Sequence, residues 1–373
     1  MTDNKSFNDY LNIKLQNRHD GGLLRTLSTH DNLIDFCSND YLGFASHAIF
    51  RRHEKENHLP SGATGSRLIS GNSILAEDTE KMIASYHHAQ AALIFNTGYM
   101  ANIGLFSTIA SKQDSFIYDE HIHASIIDGM RLSMTKRLKF KHNNPDDLEK
   151  KLKIAPGNKF IVIESLYSMD GDIAPLKEIV ELSRKYHAAL IVDEAHATGV
   201  FGENGKGLVC HFNLEDFVFA RVHTFSKALG LHGAAVLGAE VLRSFLINYA
   251  RTFIYATALP PNTYVNIRQS YKLLPEADRI GLFNMVHHFQ NTVKNISGVT
   301  FINSNSPIQG IVVKDNNKAV RLAQYLQQKG FFVKAILSPT VPKGTERIRV
   351  CLHSFNTEKQ IDELLKEVKL FFV

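Results

Sequence analysis

The chain has 373 residues, more than one ordinary domain holds and enough for two, and its 44% hydrophobic content supports a sizeable core. A formal charge of +5 is modest and spread along the chain without basic runs, which argues against a nucleic-acid partner and mildly favours anionic substrates. The opening MTDNKSFNDYLNIKL has no apolar signal core, and no later run approaches the roughly 18 apolar residues of a membrane span, so no membrane association and a cytoplasmic location are expected.

In chain order, residues 8–27 suit an amphipathic helix broken at Gly21-Gly22, and Leu33 to Cys37 leads into SNDYLG at 38–43. Ser61 to Gly71 (SGATGSRLISG) is a glycine-rich bend suited to close backbone approach. A helix is expected from Ile74 to His87, then a strand from Ala91 to Phe95 running into NTGYMANIGLF. That strand–glycine–helix join gathers backbone amides and a helix dipole at one spot, where a phosphate settles, so Gly98 and Tyr99 are the candidate phosphate residues. Ser115 to Tyr118 is the next strand, followed by a helix carrying Ile126, Ile127 and Met130, with His121 and His123 just before it. Lys159 to Glu164 is a strand with Glu164 and Ser168 at its carboxyl end, and Pro175 opens a helix with Leu176, Ile179 and Val180 on one face. Asp170 and Asp172 read as turn formers.

The apolar run Ala189 to Val192 ends in Asp193, with His196 three places on, and a second run, Phe217 to Val222, ends in Thr224 and Lys227. Two buried strands thus deliver an acid, a histidine, a hydroxyl and a lysine at their carboxyl ends, where open α/β sheets bind ligands. Pyridoxal phosphate needs such a set. A lysine anchors it as a Schiff base, an acid pairs with the pyridinium nitrogen and keeps the ring an electron sink, a histidine can hold the phenolic oxygen and a hydroxyl can bind phosphate. The letters DEAH also match a helicase box, but no G-x-x-x-x-G-K-[ST] loop accompanies them; nor does a strand-linked G-x-G-x-x-G with a following acid support a dehydrogenase. A catalytically dead scaffold would be expected to lose Lys227 or Asp193, and both are present.

GAAVLG at 233–238 suits an antiparallel return strand, and a helix near 240–250 precedes RTFIYATALPP. Beyond about 265 a long helical stretch gives way to short strands at Val299 to Asn303, Gly310 to Val313, Phe331 to Ala335 and Arg347 to Leu352, alternating with helices at 317–329 and 357–371. The last helix begins with the capping box Thr357 to Gln360. Two domains and a leading segment follow: an N-terminal segment 1–45, a large domain 46–264 and a small α/β domain 265–373. Arg347 is expected at the surface. Cys37, Cys210 and Cys351 are odd in number and far apart, so neither disulfides nor a metal site is indicated, and buried thiols are expected.

D-E-A-H followed by T-F-S-K-A-L-G resembles the α-oxoamine synthases, pyridoxal phosphate enzymes of the aspartate aminotransferase fold (fold type I), which condense an amino acid with an acyl thioester and release carbon dioxide. The resemblance runs from about Leu15 to Leu365 and includes SNDYLG, the E-x-x-Y-S-M-D-G-D run and SPTVPKGTERIRV. It implies an α/β fold, with a mainly parallel seven-stranded sheet in the large domain and a smaller C-terminal α/β domain. It implies catalytic roles for Lys227, His123 and Asp193, with His123 stacking on the pyridine ring. Ser168, His196, Thr224, Gly98, Tyr99 and, from a partner subunit, Thr257 would complete the cofactor site; Arg25, Asn39, His123, Thr340 and Arg349 would meet the substrate. Arg349 would grip the amino acid's carboxylate through its planar fork. Leu15 to Arg25 and the proline-threonine-valine-proline motif point to the branch that joins L-alanine to a pimeloyl thioester, carried on coenzyme A or a carrier protein, in biotin synthesis, working as a homodimer with shared sites. ASIIDGMRL is equally close to the glycine-using 2-amino-3-ketobutyrate ligases and 5-aminolevulinate synthases, which leaves the acyl donor open.

Overall fold

The computed structural model describes residues 4–27, 29, 32–47 and 59–372. Two compact units emerge: one holds residues 39–282 with 353–355, the other the residues before 39 with 283–352 and those from 356 on. The divisions thus fall at 38 and 282, where sequence pattern put 45 and 264. The physical reason at the first is that β1 (Ile34–Asp35) pairs in parallel with a strand near the C-terminus, Phe331–Phe332.

The larger unit contains β2 (Ala91–Phe95), β3 (Ser115–Asp119), β4 (Lys136–Phe140), β5 (Lys159–Glu164), β6 (Ala189–Asp193), β7 (Ala220–Thr224) and β8 (Ala234–Gly238). They form one seven-stranded sheet in the order β2-β8-β7-β6-β5-β3-β4. Only β8 is antiparallel to its neighbours, as its position straight after β7 requires; the other pairs are parallel. The fold expected from the sequence is the fold observed. β5 and β6 read as continuous apolar runs because both faces are covered, and Val162, Ile191 and Val222 are completely or almost completely buried with Leu93 and Phe116. Each such side chain contributes about 1.5–3 kcal/mol. β4 and the helix Pro145–Ile154 escaped the pattern reading. The strand KRLKF lies at the sheet edge with Phe140 alone buried, so its lysines and arginine guard an open edge and erase the apolar signal.

In the smaller unit, β9 (Thr300–Phe301), β10 (Ile308–Val312), β12 (Lys334–Ile336) and β13 (Arg347–Cys351) form an antiparallel sheet in the order β12-β13-β10-β9, while β11 (Phe331–Phe332) pairs with β1. Helices Asn316–Gln328 and Glu358–Phe372 close a core around Phe36, Leu322, Ile348 and Leu364. The capping box forms: Gln360 N donates to Thr357 Oγ1 at 3.3 Å and Thr357 N to Gln360 Oε1 at 3.0 Å. One expectation is corrected here. Arg347 is 5% exposed, its Nε donating to the Thr345 carbonyl at 2.9 Å, whereas Arg349, opposite Gly310 and Lys334, is half-buried. Arg25 and Thr340 are exposed in this unit. Of the cysteines only Cys351 is buried outright; Cys37 and Cys210 are half-buried.

Candidate active site

Four parallel or near-parallel strand ends meet at one pocket of about 220 Å³ in the larger unit. β6 ends in Asp193 and the turn that carries Ala195 and His196; β7 ends in Thr224, with Ser226 and Lys227 just beyond; β5 contributes Glu164, and the turn after β2 contributes Thr97, Gly98 and Tyr99. His123 and Ser125, from the start of the helix Ala124–Leu132, complete the wall with Asn102. Of the residues singled out in the sequence, the structure therefore brings together Gly98, Tyr99, His123, Asp193, His196, Thr224 and Lys227.

Local rules explain each placement. Thr97 caps the helix Gly98–Phe106, its Oγ1 accepting from Met100 N at 3.1 Å, so the first-turn amides, which have no carbonyl within the helix, face the pocket end. Gly98 has to be glycine: a Cβ there would sit 2.6 Å from Thr224 Cγ2. The backbone consequently approaches the β7 hydroxyl closely enough to cradle an anion between them. At the other end of the pocket, Asp193 is held through both oxygens. Ala195 N donates to Oδ1 at 2.9 Å and Asn102 Nδ2 donates to Oδ2 at 2.9 Å, an arrangement that suits a carboxylate acceptor.

His123 is the N-cap of its helix, with Nδ1 2.7 Å from Ser125 Oγ, and Tyr99 meets it edge-on at 6.4 Å between ring centres. Burial pushes the His123 imidazole below its usual range, and Lys227 adds to this against the pull of Asp193, so the ring is neutral near pH 7 and can stack on a flat cofactor. His196 Nδ1 lies 2.8 Å from the hydroxyl of fully buried Tyr41, and Tyr41 Oη also reaches Asn39 Oδ1 at 3.2 Å. SNDYLG and DEAH are thereby joined through the histidine.

Some residues escaped the sequence reading. Asn102 is 3% exposed and orients Asp193; its one clue was a polar side chain a helical turn after Gly98 in an otherwise apolar run. Tyr41 lay inside a motif already quoted, but its partner is 155 positions away. Ser168 is half-buried on the loop after β5 and does not line the pocket. Thr257 is exposed, its carbonyl accepting from Asn96 Nδ2 at 2.9 Å. Asp172 does more than turn the chain: with Asp119 it clamps His142, at 2.7 and 2.9 Å.

Pyridoxal phosphate fits these residues on the structure's own terms: a glycine cradle that a Cβ would fill, a doubly anchored acid, a lysine at a strand end, and an orphaned buried oxygen, Glu164 Oε1, facing the same space. Comparison with known proteins agrees. The model for aminotransferase class I and II matches residues 31–368. The 8-amino-7-oxononanoate synthase of Emericella nidulans is 41% identical, covering 98% of this chain and 95% of the relative. Among solved structures, a serine palmitoyltransferase of S. paucimobilis with a bound PLP–myriocin adduct superposes with a TM-score of 0.91 at 29% identity, covering 99% of this chain and 98% of that one. An 8-amino-7-oxononanoate synthase of Francisella tularensis gives 0.77 at 32% identity, covering 91% and 98%. The chain belongs to the aminotransferase class I and II family, and within it stands with the 8-amino-7-oxononanoate synthases.

Proposed function

We propose that this chain is a pyridoxal phosphate enzyme that condenses L-alanine with a pimeloyl thioester, releasing carbon dioxide and giving 8-amino-7-oxononanoate for biotin synthesis. The observation that carries the reading is the convergence of Lys227, Asp193, Thr224, His196 and His123 from separate elements on one pocket. Bound there, the cofactor supplies an electron sink for a carbanion at the amino acid's Cα. Lys227 would be its covalent anchor, set free when the substrate's amine takes its place, and the freed Nζ would then take the proton from Cα. Asp193, fixed by Asn102 and Ala195, holds the ring nitrogen's proton. Gly98, Tyr99 and Thr224 would bind phosphate, with Thr257 of a second copy; His196 would hold the phenolic oxygen, with Ser168 nearby on the loop after β5. His123 stacks on the ring and, with Arg349, Asn39, Arg25 and Thr340, orients the amino acid.

The choice of alanine and a pimeloyl donor rests on SNDYLG, on SPTVPKGT before the R-I-R strand, and on relatives of that activity at 34–41% identity. A fitted pocket separates alanine from glycine by only about 1–3 kcal/mol, so discrimination should be real but incomplete. Purified protein assayed with alanine and glycine against pimeloyl, acetyl and succinyl thioesters tests this; much faster turnover of glycine with acetyl or succinyl donor overturns it in favour of a ligase-type activity.

The working form is a homodimer in the cytoplasm. Leu68, Ile69 and Tyr255, close in sequence to the bridged residues Ser66 and Thr257, are exposed by 52%, 86% and 71%, apolar surface that a second copy would cover. No described helix is long and apolar enough to cross a membrane. An active monomer in light scattering would count against shared sites.

A further inference from the structure

Glu164 and Asp193 end neighbouring parallel strands in register, each the last residue of its strand. Side chains at paired positions of adjacent strands point the same way from backbones about 4.8 Å apart, and both carboxyls line the pocket, at 3% and 6% exposure. Two buried acids this close do not both carry charge cheaply. Their surroundings assign the charge. Asp193 receives an N–H on each oxygen. The Glu164 Oε1 atom is buried and has no hydrogen-bond partner among the described residues. An unpartnered buried carboxylate oxygen is costly, but an O–H placed there needs only an acceptor brought in by whatever fills the pocket.

We propose that Glu164 is the proton-bearing member of a carboxyl pair with Asp193, and that its Oε1–H donates a hydrogen bond to the occupant of the pocket. The inference rests on the pyridoxal phosphate reading above. Burial and then the neighbouring Asp193 push the Glu164 carboxyl well above its usual range, with Lys227 pulling the other way and Asp119 adding to the rise. The pocket thus presents one negative charge rather than two against Lys227. A single carboxylate remains to pair with the ring nitrogen, while the second acid contributes contact without competing for its proton. The titratable groups facing Glu164 are Asp193, Lys227, His123, Asp119 and Tyr167.

The test is Glu164→Gln, which keeps size and a donor but cannot ionise, beside Glu164→Leu, which keeps volume and removes the donor. Apo protein is titrated with pyridoxal phosphate by absorbance, and the pH midpoint of the bound chromophore's absorption change is followed, with thermal melts as a folding control. A neutral Glu164 predicts that the Gln variant keeps its cofactor Kd within about threefold and its midpoint within about 0.3 pH unit, while the Leu variant binds about tenfold more weakly. If Glu164 were charged, Gln would remove a buried negative charge near Lys227 and lower the midpoint by about one unit or more, which overturns the proposal. Wild-type affinity in the Leu variant also overturns it. Failure of the wild-type protein itself to bind the cofactor defeats the functional reading first and this inference with it, so the two failures are told apart.

Discussion

Gly98→Ala examines the phosphate end of the pocket through a steric argument that no motif contains. The added Cβ would lie 2.6 Å from Thr224 Cγ2 and 3.7 Å from Thr224 Cβ. Carbon atoms settle at about 3.5–4.0 Å, so the methyl must retreat by about 1 Å. Thr224 ends β7, is 6% exposed and is stiff at χ1, so the retreat turns its hydroxyl, which lies 3.5 Å from the Ala195 carbonyl. Overpacking of this kind costs about 1–3 kcal/mol. Alanine recovers up to about 1 kcal/mol by its helix propensity, less in a first turn. The surplus of about 1.4 kcal/mol falls on the geometry that holds phosphate and predicts about a tenfold weaker cofactor Kd with little change in melting temperature. Serine at 224 lacks Cγ2 but keeps the hydroxyl. Gly98→Ala combined with Thr224→Ser should therefore bind within about threefold of Thr224→Ser alone, a coupling that independent sites do not show. Cofactor titration of the four proteins closes the cycle. Wild-type affinity in the single variant, or an unrelieved loss in the double, refutes the steric account.

Borohydride reduction of the holoenzyme followed by peptide mapping should tag Lys227 alone; an adduct on another lysine sinks its assignment. Asp193→Asn, whose single amide oxygen can still accept from Ala195 N, should bind the cofactor yet lose activity by about 100-fold or more, because a neutral partner no longer holds the ring proton; near-normal turnover would refute that role. Away from the site, burial opposes the charge on His142, but the hydrogen bonds it donates to Asp119 and Asp172 outweigh it and raise the imidazole to about 10. The folded value is raised, so the stabilisation is complete below about pH 6.5 and is lost as pH rises toward 10. The shift sets a ceiling of about 5 kcal/mol, discounted to about 2 for a side chain 20% exposed. Urea melts of wild type and His142→Gln should differ most near pH 6 and converge near pH 10; a constant gap contradicts the ion-pair account.

What the sequence made legible follows from burial. β5 and β6 are covered on both faces, so they read as apolar runs whose polar ends are conspicuous, and Asp193, Thr224 and Lys227 stand out for that reason. Thr97-Gly98 is legible because a cap and a close approach leave local marks. β4 was invisible because an edge strand carries the polarity of a loop. Asn102 and Asp193 are 91 positions apart and Tyr41 and His196 are 155 apart, and nothing in the spacing of one announces the other. Arg347 lies two places from Arg349 and so on the same face of β13, where alternation gives no ground for exposing one of the two, and β13 buries four of its five residues.

One short helix connects what the motifs treated separately. Gly98, at the first turn of Gly98–Phe106, abuts Thr224, and Asn102, one turn later, donates to Asp193. The two contacts are about 6 Å apart along the helix axis, a separation fixed by the 1.5 Å rise per residue rather than by any loop. Asn102 also reaches Ser125 Oγ, on the helix that His123 caps, so Asp193, His123 and Gly98 are all registered to the same rigid element. Gly104 repeats the close fit on the far side: a Cβ there would come within 2.5 Å of Thr252 Oγ1 and 2.9 Å of Phe95 Cε1, leaving the helix little room to slide. Any displacement of this helix would therefore move both ends of the pocket together. Asp193, although it touches neither glycine, feels such a shift through the amide of Asn102.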